Sequence, residues 1–169
     1  MIKNRSLASG GFGTHIVPLI AAVLATQQHI FEFGMGDYST PLLHEIIKYQ
    51  RSSCDRKIFS YESDMQWLAN FSDLDNDWHK INLIHDWENI DITPNIGVLF
   101  IDHAPAERRI VDIEKYQILA DIIVVHDTEK HSYYKYEPLL SNFKFRKDYE
   151  RYSKKTTLIS NFINVTKLL

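Results

Sequence analysis

His29-Ile30-Phe31-Glu32-Phe33-Gly34-Met35-Gly36-Asp37-Tyr38-Ser39-Thr40-Pro41-Leu42-Leu43 is the stretch whose reading decides the fold. A short apolar run with one acidic residue inside it gives way to Gly34 and Gly36. A helix start follows: Thr40 is the expected N-cap, Pro41 takes the first helical position, and Leu42-Leu43 open an apolar face. The order is strand, tight glycine turn, helix. Glycines there admit positive φ and leave no Cβ between the chain and a ligand. The helix behind the turn should direct free N–H groups at whatever sits there. The rest of the chain is therefore expected to be arranged around a small molecule held on this turn.

Upstream, Asn4 to Thr14 is a Ser/Gly-rich loop, and a helix is expected over Ile16–Gln27. Lys3, Arg5 and the apolar run Ile16–Ala25 have the outline of a signal peptide, but the glycine-rich, histidine-containing spacer between them favours a packed helix. That run is also too short to span a membrane. From the turn onward, strands alternate with helices. Strand Ile30–Phe33 leads to helix Pro41–Gln50, and strand Lys57–Glu62 to helix Met65–Phe71, capped by Ser63 or Asp64. Strand Ile81–Ile84 comes next. Strand Gly97–Asp102, apolar on both faces, is followed by helix Ala106–Leu119 and strand Asp121–Asp127. Tyr133–Leu140 reads as a short helix or lid, and Phe143–Tyr149 with Thr156–Phe162 as an antiparallel hairpin. The alternation predicts a parallel α/β sheet with helices on both faces, closed at one edge by that hairpin.

The chain has 169 residues, enough for one full hydrophobic core, so residues 1–169 are expected to form a single domain. Hydrophobic residues make up 44% and charged residues 24%, with a net charge of −3. That balance argues against an affinity built on neutralising nucleic-acid phosphates, so nucleic acid is not the expected partner. Lys144, Arg146, Lys147, Arg151, Lys154 and Lys155 cluster in the tail and read as a solvated strand pair. Cys54 is the single cysteine, lies in a polar loop, and asks for no oxidising compartment. The expected location is the cytoplasm.

Ligands of such sheets bind beyond the carboxyl ends of the strands. Here those ends are Gly34-Met35-Gly36, Glu62-Ser63-Asp64, His85-Asp86-Trp87, Asp102-His103 and His126-Asp127-Thr128-Glu129. Every end is polar or glycine. Glu62 stands one βα unit after the glycines, where a carboxylate can accept both hydroxyls of a ribose. A dinucleotide fingerprint would need a third glycine where Ser39 stands, which weakens a nicotinamide-cofactor reading.

These residues resemble class I S-adenosylmethionine-dependent methyltransferases from about Gly11 to Phe162, the terminal hairpin included. The resemblance implies a Rossmann-like seven-stranded sheet in the order 3-2-1-4-5-7-6. It also implies that Glu32, Gly34, Met35 and Gly36, with Tyr38 and Ser39 nearby, hold the methionine part of S-adenosylmethionine. Glu62, beside Ser63, would take the ribose, Asp86 the adenine amino group, and Trp87 would pack beside the ring. Asp102 would lie near the methyl donor and the substrate.

Phe100-Ile101-Asp102-His103 and Val124-Val125-His126-Asp127-Thr128 look, more narrowly, like small-molecule O-methyltransferases acting on sugars or phenols. In that group a divalent cation such as Mg²⁺ can be held by acidic residues ending adjacent strands, here Asp102 and Asp127. Without a metal, His103 is the expected general base. His126, among apolar neighbours, reads as a satisfied, partly buried histidine. Arg108 and Arg109 could clamp an acidic substrate. Substrate-shaping residues are expected on Ser9–His15, Ala104–Arg109 and Glu129–Glu137, with Thr128–Tyr134 as a polar, aromatic-rimmed lid. A homodimer is consistent with this group. A cofactor-binding subunit that needs a partner is the alternative from another class. A protein or nucleic-acid methylase is a further one, although Asp102-His103-Ala104-Pro105 does not match the amino-methylase motif of Asn/Asp-Pro-Pro-aromatic.

Overall fold

The structure is a computed structural model that describes residues 13–90, 92, 95–129, 135–151 and 153–169. Most of the expected lead-in loop and the lid residues 130–134 lie outside the described residues. Strands β1 (His29–Phe33), β2 (Ile58–Glu62), β3 (His79–Leu83), β4 (Ile96–Ile101), β5 (Ala120–Val125), β6 (Phe145–Arg151) and β7 (Lys154–Ser160) form one seven-stranded sheet. Its order is β3-β2-β1-β4-β5-β7-β6. The first five strands pair in parallel, and β7 runs antiparallel to both β5 and β6. This is the sheet that the resemblance implied.

Side chains alternate along a strand, so a sheet covered on both faces sorts successive residues into two cores. Ile30, Val98, Phe100, Ile122 and Val124 pack with Leu19 and Val23 of α1 (Ile16–Ala25) and with Leu43 and Ile47 of α2 (Thr40–Gln50). Phe31, Phe33, Leu99, Ile101, Ile123 and Val125 pack on the opposite face. Their neighbours there include Ile113 and Tyr116 of α4 (Arg108–Tyr116) and Leu140 of α5 (Glu137–Leu140). Register then sets the site. Ile101 lies level with Phe33 of β1 and with Val125 of β5, which brings the next residues, Gly34, Asp102 and His126, to one rim.

Several expected elements differ in extent: the helix expected over Ala106–Leu119 is the shorter α4, and α1 ends at Ala25 instead of Gln27. The helix expected over Met65–Phe71 is one α-turn, α3 (Met65–Leu68), continued as a 3₁₀ stretch over Ala69–Leu74. Asn70 and Ser72 bond the carbonyls of Trp67 and Ala69, diverting acceptors that a longer α-helix would use. β3 begins two residues early because the Asn76 side chain accepts the N–H groups of Trp78 and His79 and sets the turn there. The hairpin ladder extends to Arg151 and Lys154, so its connection is tighter than the Glu150–Lys155 loop expected from sequence.

Candidate functional site at the carboxyl rim of the sheet

Gly34 has φ +88°, and a Cβ there would lie 2.5 Å from the backbone nitrogen of His103. The glycine is thus fixed by close approach of the β1 and β4 ends, at the point where strand order reverses. The loop's amides are not free, contrary to the sequence expectation. Gly34 N–H donates to the Tyr61 carbonyl, Met35 N–H to Glu62 Oε2 at 3.1 Å, and Gly36 N–H to Thr40 Oγ1 at 3.0 Å. Trp67 of α3 donates its indole N–H to the Met35 carbonyl at 2.7 Å. The Glu62 Oε1 accepts from the amides of Ser63 and Asp64, at 2.7 and 2.9 Å. Glu62 therefore clamps the turn, and its Oε2 keeps a lone pair for a ligand hydroxyl, since a carboxylate offers about four acceptor positions.

Thr40 is the first residue of α2 and not its N-cap, which is Ser39 without a side-chain cap bond. Its hydroxyl instead donates to Glu32 Oε1 at 3.1 Å. Glu32 is fully buried, and its Oε2 accepts from Ser60 at 2.5 Å. Ser60 lies 3.0 Å from His79 Nε2, and His79 Nδ1 lies 3.0 Å from His44 Nδ1. With Glu32 ionised, the protons order in one direction: His44 to His79, His79 to Ser60, Ser60 to Glu32. Burial pushes the Glu32 carboxyl up to about 7 against the opposing bonds from Ser39, Ser60 and Thr40. Burial, with His44 beside it, pulls His79 down to about 3. Glu32 thus braces the glycine turn from behind.

A second polar group occupies the same sheet face one strand further on. Asp102 lies two residues after Phe100 and His126 two after Val124, so both point toward α1, where His15 stands just before the helix. His126 Nδ1 lies 3.2 Å from Asp102 Oδ1, and Arg109 Nη2 lies 3.1 Å from the same oxygen. The rings of His15 and His126 meet edge to face, with centroids 4.8 Å apart. One nitrogen from each histidine and one Asp102 oxygen lie within 4.8 Å of one another. Among the described residues, neither nitrogen of buried His15 nor Nε2 of buried His126 has a hydrogen-bond partner. Burial opposes charge on Asp102, but His126 and Arg109 hold its carboxyl below the usual range. Burial likewise opposes charge on His126, yet Asp102 and Asp127 raise its pKa overall. Burial and then His126 lower His15 to about 4, so it is neutral near pH 7.

The other expected site residues are distributed unevenly. His103, next to Asp102 in sequence, belongs to the opposite face: its ring stacks on Trp87 at 4.1 Å and its Nε2 lies 2.8 Å from buried Asp112. It does not share the Asp102 cluster. Trp87 is buried, with its indole N–H on the Ala104 carbonyl. Asp86 is exposed and caps the following turn by accepting from Glu88 N–H and Asn89 Nδ2. Tyr38 is half-buried, Ser39 is buried and Ser63 is exposed at the rim. Asp127, expected to share a cation with Asp102, instead pairs with Lys154 at 3.2 Å, and Lys154 also holds Glu129. Arg109 is buried and ties the carbonyls of Asp102, His103 and His126 together, while Arg108 holds Asp112 and Glu88. His15 and the partnering of His126 were the features not singled out. The only sequence signal was a histidine directly ahead of an apolar helix.

No protein-family model matches the sequence, and no curated protein matches it. Solved structures do match in fold. Cofactor-bound Rv0187 from MTB aligns over 96% of this chain and 85% of its own, at 13% identity and a TM-score of 0.61. Precorrin-6y C5,15-methyltransferase from Geobacter metallireducens covers 85% of this chain and 86% of its own, at 14% identity and TM-score 0.60. M. capricolum TrmK in complex with S-adenosyl-homocysteine covers 85% of this chain and 67% of its own, at 11% identity and TM-score 0.52. At such identities the likeness defines the fold, that of class I methyltransferases. Among the described residues no helix is long and apolar enough to cross a membrane.

Proposed function

We propose that this chain is a cytoplasmic S-adenosylmethionine-dependent methyltransferase that acts, as a single domain, on a small hydroxyl-bearing molecule. The observation that carries the reading is Glu62 closing on the glycine turn exactly where the β1 and β4 ends part, the crevice in which open α/β sheets bind ligands. The cradle at Gly34 that a Cβ would fill, and the spare acceptor capacity of Glu62, fit a nucleoside with its amino-acid tail. Gly34, Met35, Gly36, Tyr38, Ser39, Glu62, Ser63 and Asp86 would hold the cofactor, braced by Glu32 and Trp87. When bound, it supplies an electrophilic methyl group. Asp102, with His126 and His15, would face the acceptor, and His103 would act only by fixing the β4 end.

An RNA acceptor is the second reading, favoured by the likeness in fold to B. subtilis TrmK, a tRNA methyltransferase. Against it stands the pairing of the basic tail: Arg146 is held by Glu137 and Asp148, Lys155 by Asp148, and Lys154 by Asp127 and Glu129. Cations neutralised in this way contribute little to tracking phosphates.

Calorimetric titration with S-adenosyl-homocysteine tests the cofactor. Binding should raise the melting temperature, with ligand at 100 times Kd adding about 2.7 kcal/mol. Glu62→Ala should weaken binding at least tenfold, and an unchanged Kd would remove the ribose assignment.

A further inference from the structure

We infer that His15, Asp102 and His126 form a binding site for one borderline divalent metal ion of the Zn²⁺ type, with coordination positions left open. The ligand set differs from the paired carboxylates of Mg²⁺ sites, and the donors present require the difference. Imidazole nitrogens select zinc and its transition-metal neighbours, whereas Mg²⁺ takes oxygen. Two histidines and one carboxylate make three protein ligands, the number that leaves room for an exogenous oxygen.

The unpartnered nitrogens are an independent pointer. Among the described residues, neither nitrogen of His15 nor Nε2 of His126 finds a partner, although both side chains are more than nine-tenths buried. His126 turns Nδ1 toward Asp102 Oδ1, with Asp127 Oδ2 at 3.6 Å, which leaves Nε2 as the ring atom without a partner among the described residues. Carboxylates oriented in this way set the tautomer of metal-binding histidines. Either ring nitrogen of His15 can serve as the ligand atom, since an imidazole in either neutral tautomer keeps one lone pair. Arg109 and His126 both approach Asp102 Oδ1, at 3.1 and 3.2 Å. One nitrogen of each histidine and one oxygen of Asp102 lie within 4.8 Å of one another. A tetrahedral ion with bonds of roughly 2.0–2.1 Å needs edges of about 3.4 Å, a contraction within the reach of side-chain rotation.

The site lies beside the β1–β4 crevice, on the side away from Glu62. That its open positions receive the oxygen of the methyl acceptor rests on the function proposed above; the ion itself does not.

Chelator-stripped protein titrated with Zn²⁺ against a chromophoric chelator should bind one equivalent tightly. His15→Gln and His126→Gln should each weaken that binding at least tenfold. Co²⁺ added to the unaltered protein should give the intense visible d–d bands of a four- or five-coordinate site with nitrogen ligands. The inference is overturned if Zn²⁺ binds the unaltered protein no more tightly than the double variant. Should the variants fail to fold, the Co²⁺ spectrum decides, and a weak, aquo-like octahedral spectrum overturns the inference. Calorimetry with S-adenosyl-homocysteine on the same preparation separates the two ideas. Cofactor binding without an ion sinks only the metal site, and an ion without cofactor binding upholds it while sinking the methyl-transfer reading.

Discussion

Two buried polar groups lie side by side on one face of the sheet, and they are satisfied in opposite ways. In the chain Thr40–Glu32–Ser60–His79–His44 each described side chain is bonded to the next. In the cluster His15–Asp102–His126, three ring nitrogens find no partner among the described residues. Burial of polar groups is tolerated when they are paired, and a bare one costs about 1–3 kcal/mol. The first arrangement is what a structural brace requires. The second is tolerable in a structure that binds something there.

The largest effect should come from cutting the brace. Glu32→Ala removes the acceptor of both Thr40 and Ser60 and opens a cavity behind the glycine turn. Two stranded hydroxyls and the lost packing predict a loss of about 3–4 kcal/mol in urea unfolding at pH 5. A loss below about 1 kcal/mol would mean that the chain of bonds is not a brace.

Glu32 also shows how far the sequence could be read. A carboxylate in an apolar strand before two glycines was visible as special, and period-2 alternation is enough to put it on one face. What it bonds was not, because Ser60 and His79 come from neighbouring strands whose register only the assembled sheet sets. The strands themselves were legible, since their apolar runs are buried on both faces, and the glycines and Pro41 marked the turns. Asp102 is expected from the resemblance near the methyl donor and His103 as the general base, which would put both on one site. Adjacency in a strand means opposite faces, and the contacts bear this out: Asp102 meets His126 and His103 meets Trp87. His15 precedes a helix remote in sequence from both strands, so no local pattern could connect it to them.

Titration should separate the two groups next. Glu32 has its carboxyl raised from 4.5 to about 7 by burial, so the folded chain holds a proton that the unfolded chain has released between those values. Stability from this group is therefore complete below about pH 4.5 and falls as pH rises to 7. Glu32→Gln keeps an acceptor for Thr40, while its amide can donate to Ser60, which then turns its own proton toward His79. Relative to the unaltered protein, this variant should gain about 3 kcal/mol between pH 4.5 and 8. His79 contributes the opposite slope as its lowered pKa is approached from 6.5, but it does so in both proteins and cancels in the difference. A flat difference would place the Glu32 pKa near its ordinary value.

The smallest effect is the most discriminating, because one kind of substitution should change sign between the two groups. His79→Phe removes a ring whose nitrogens are both engaged and should cost about 2 kcal/mol. His15→Phe removes nitrogens that bond nothing among the described residues and keeps the ring against Phe100, 5.0 Å away between centroids. In chelator-treated protein the bare nitrogens are a liability, so the variant should be unchanged or more stable by about 1 kcal/mol, the extra ring volume offsetting part of the gain. The same variant should lose its tight Zn²⁺. Paired urea unfolding of the two variants reads the sign directly. A loss of 2 kcal/mol at His15 would mean that its nitrogens have partners after all, and that both groups belong to the scaffold.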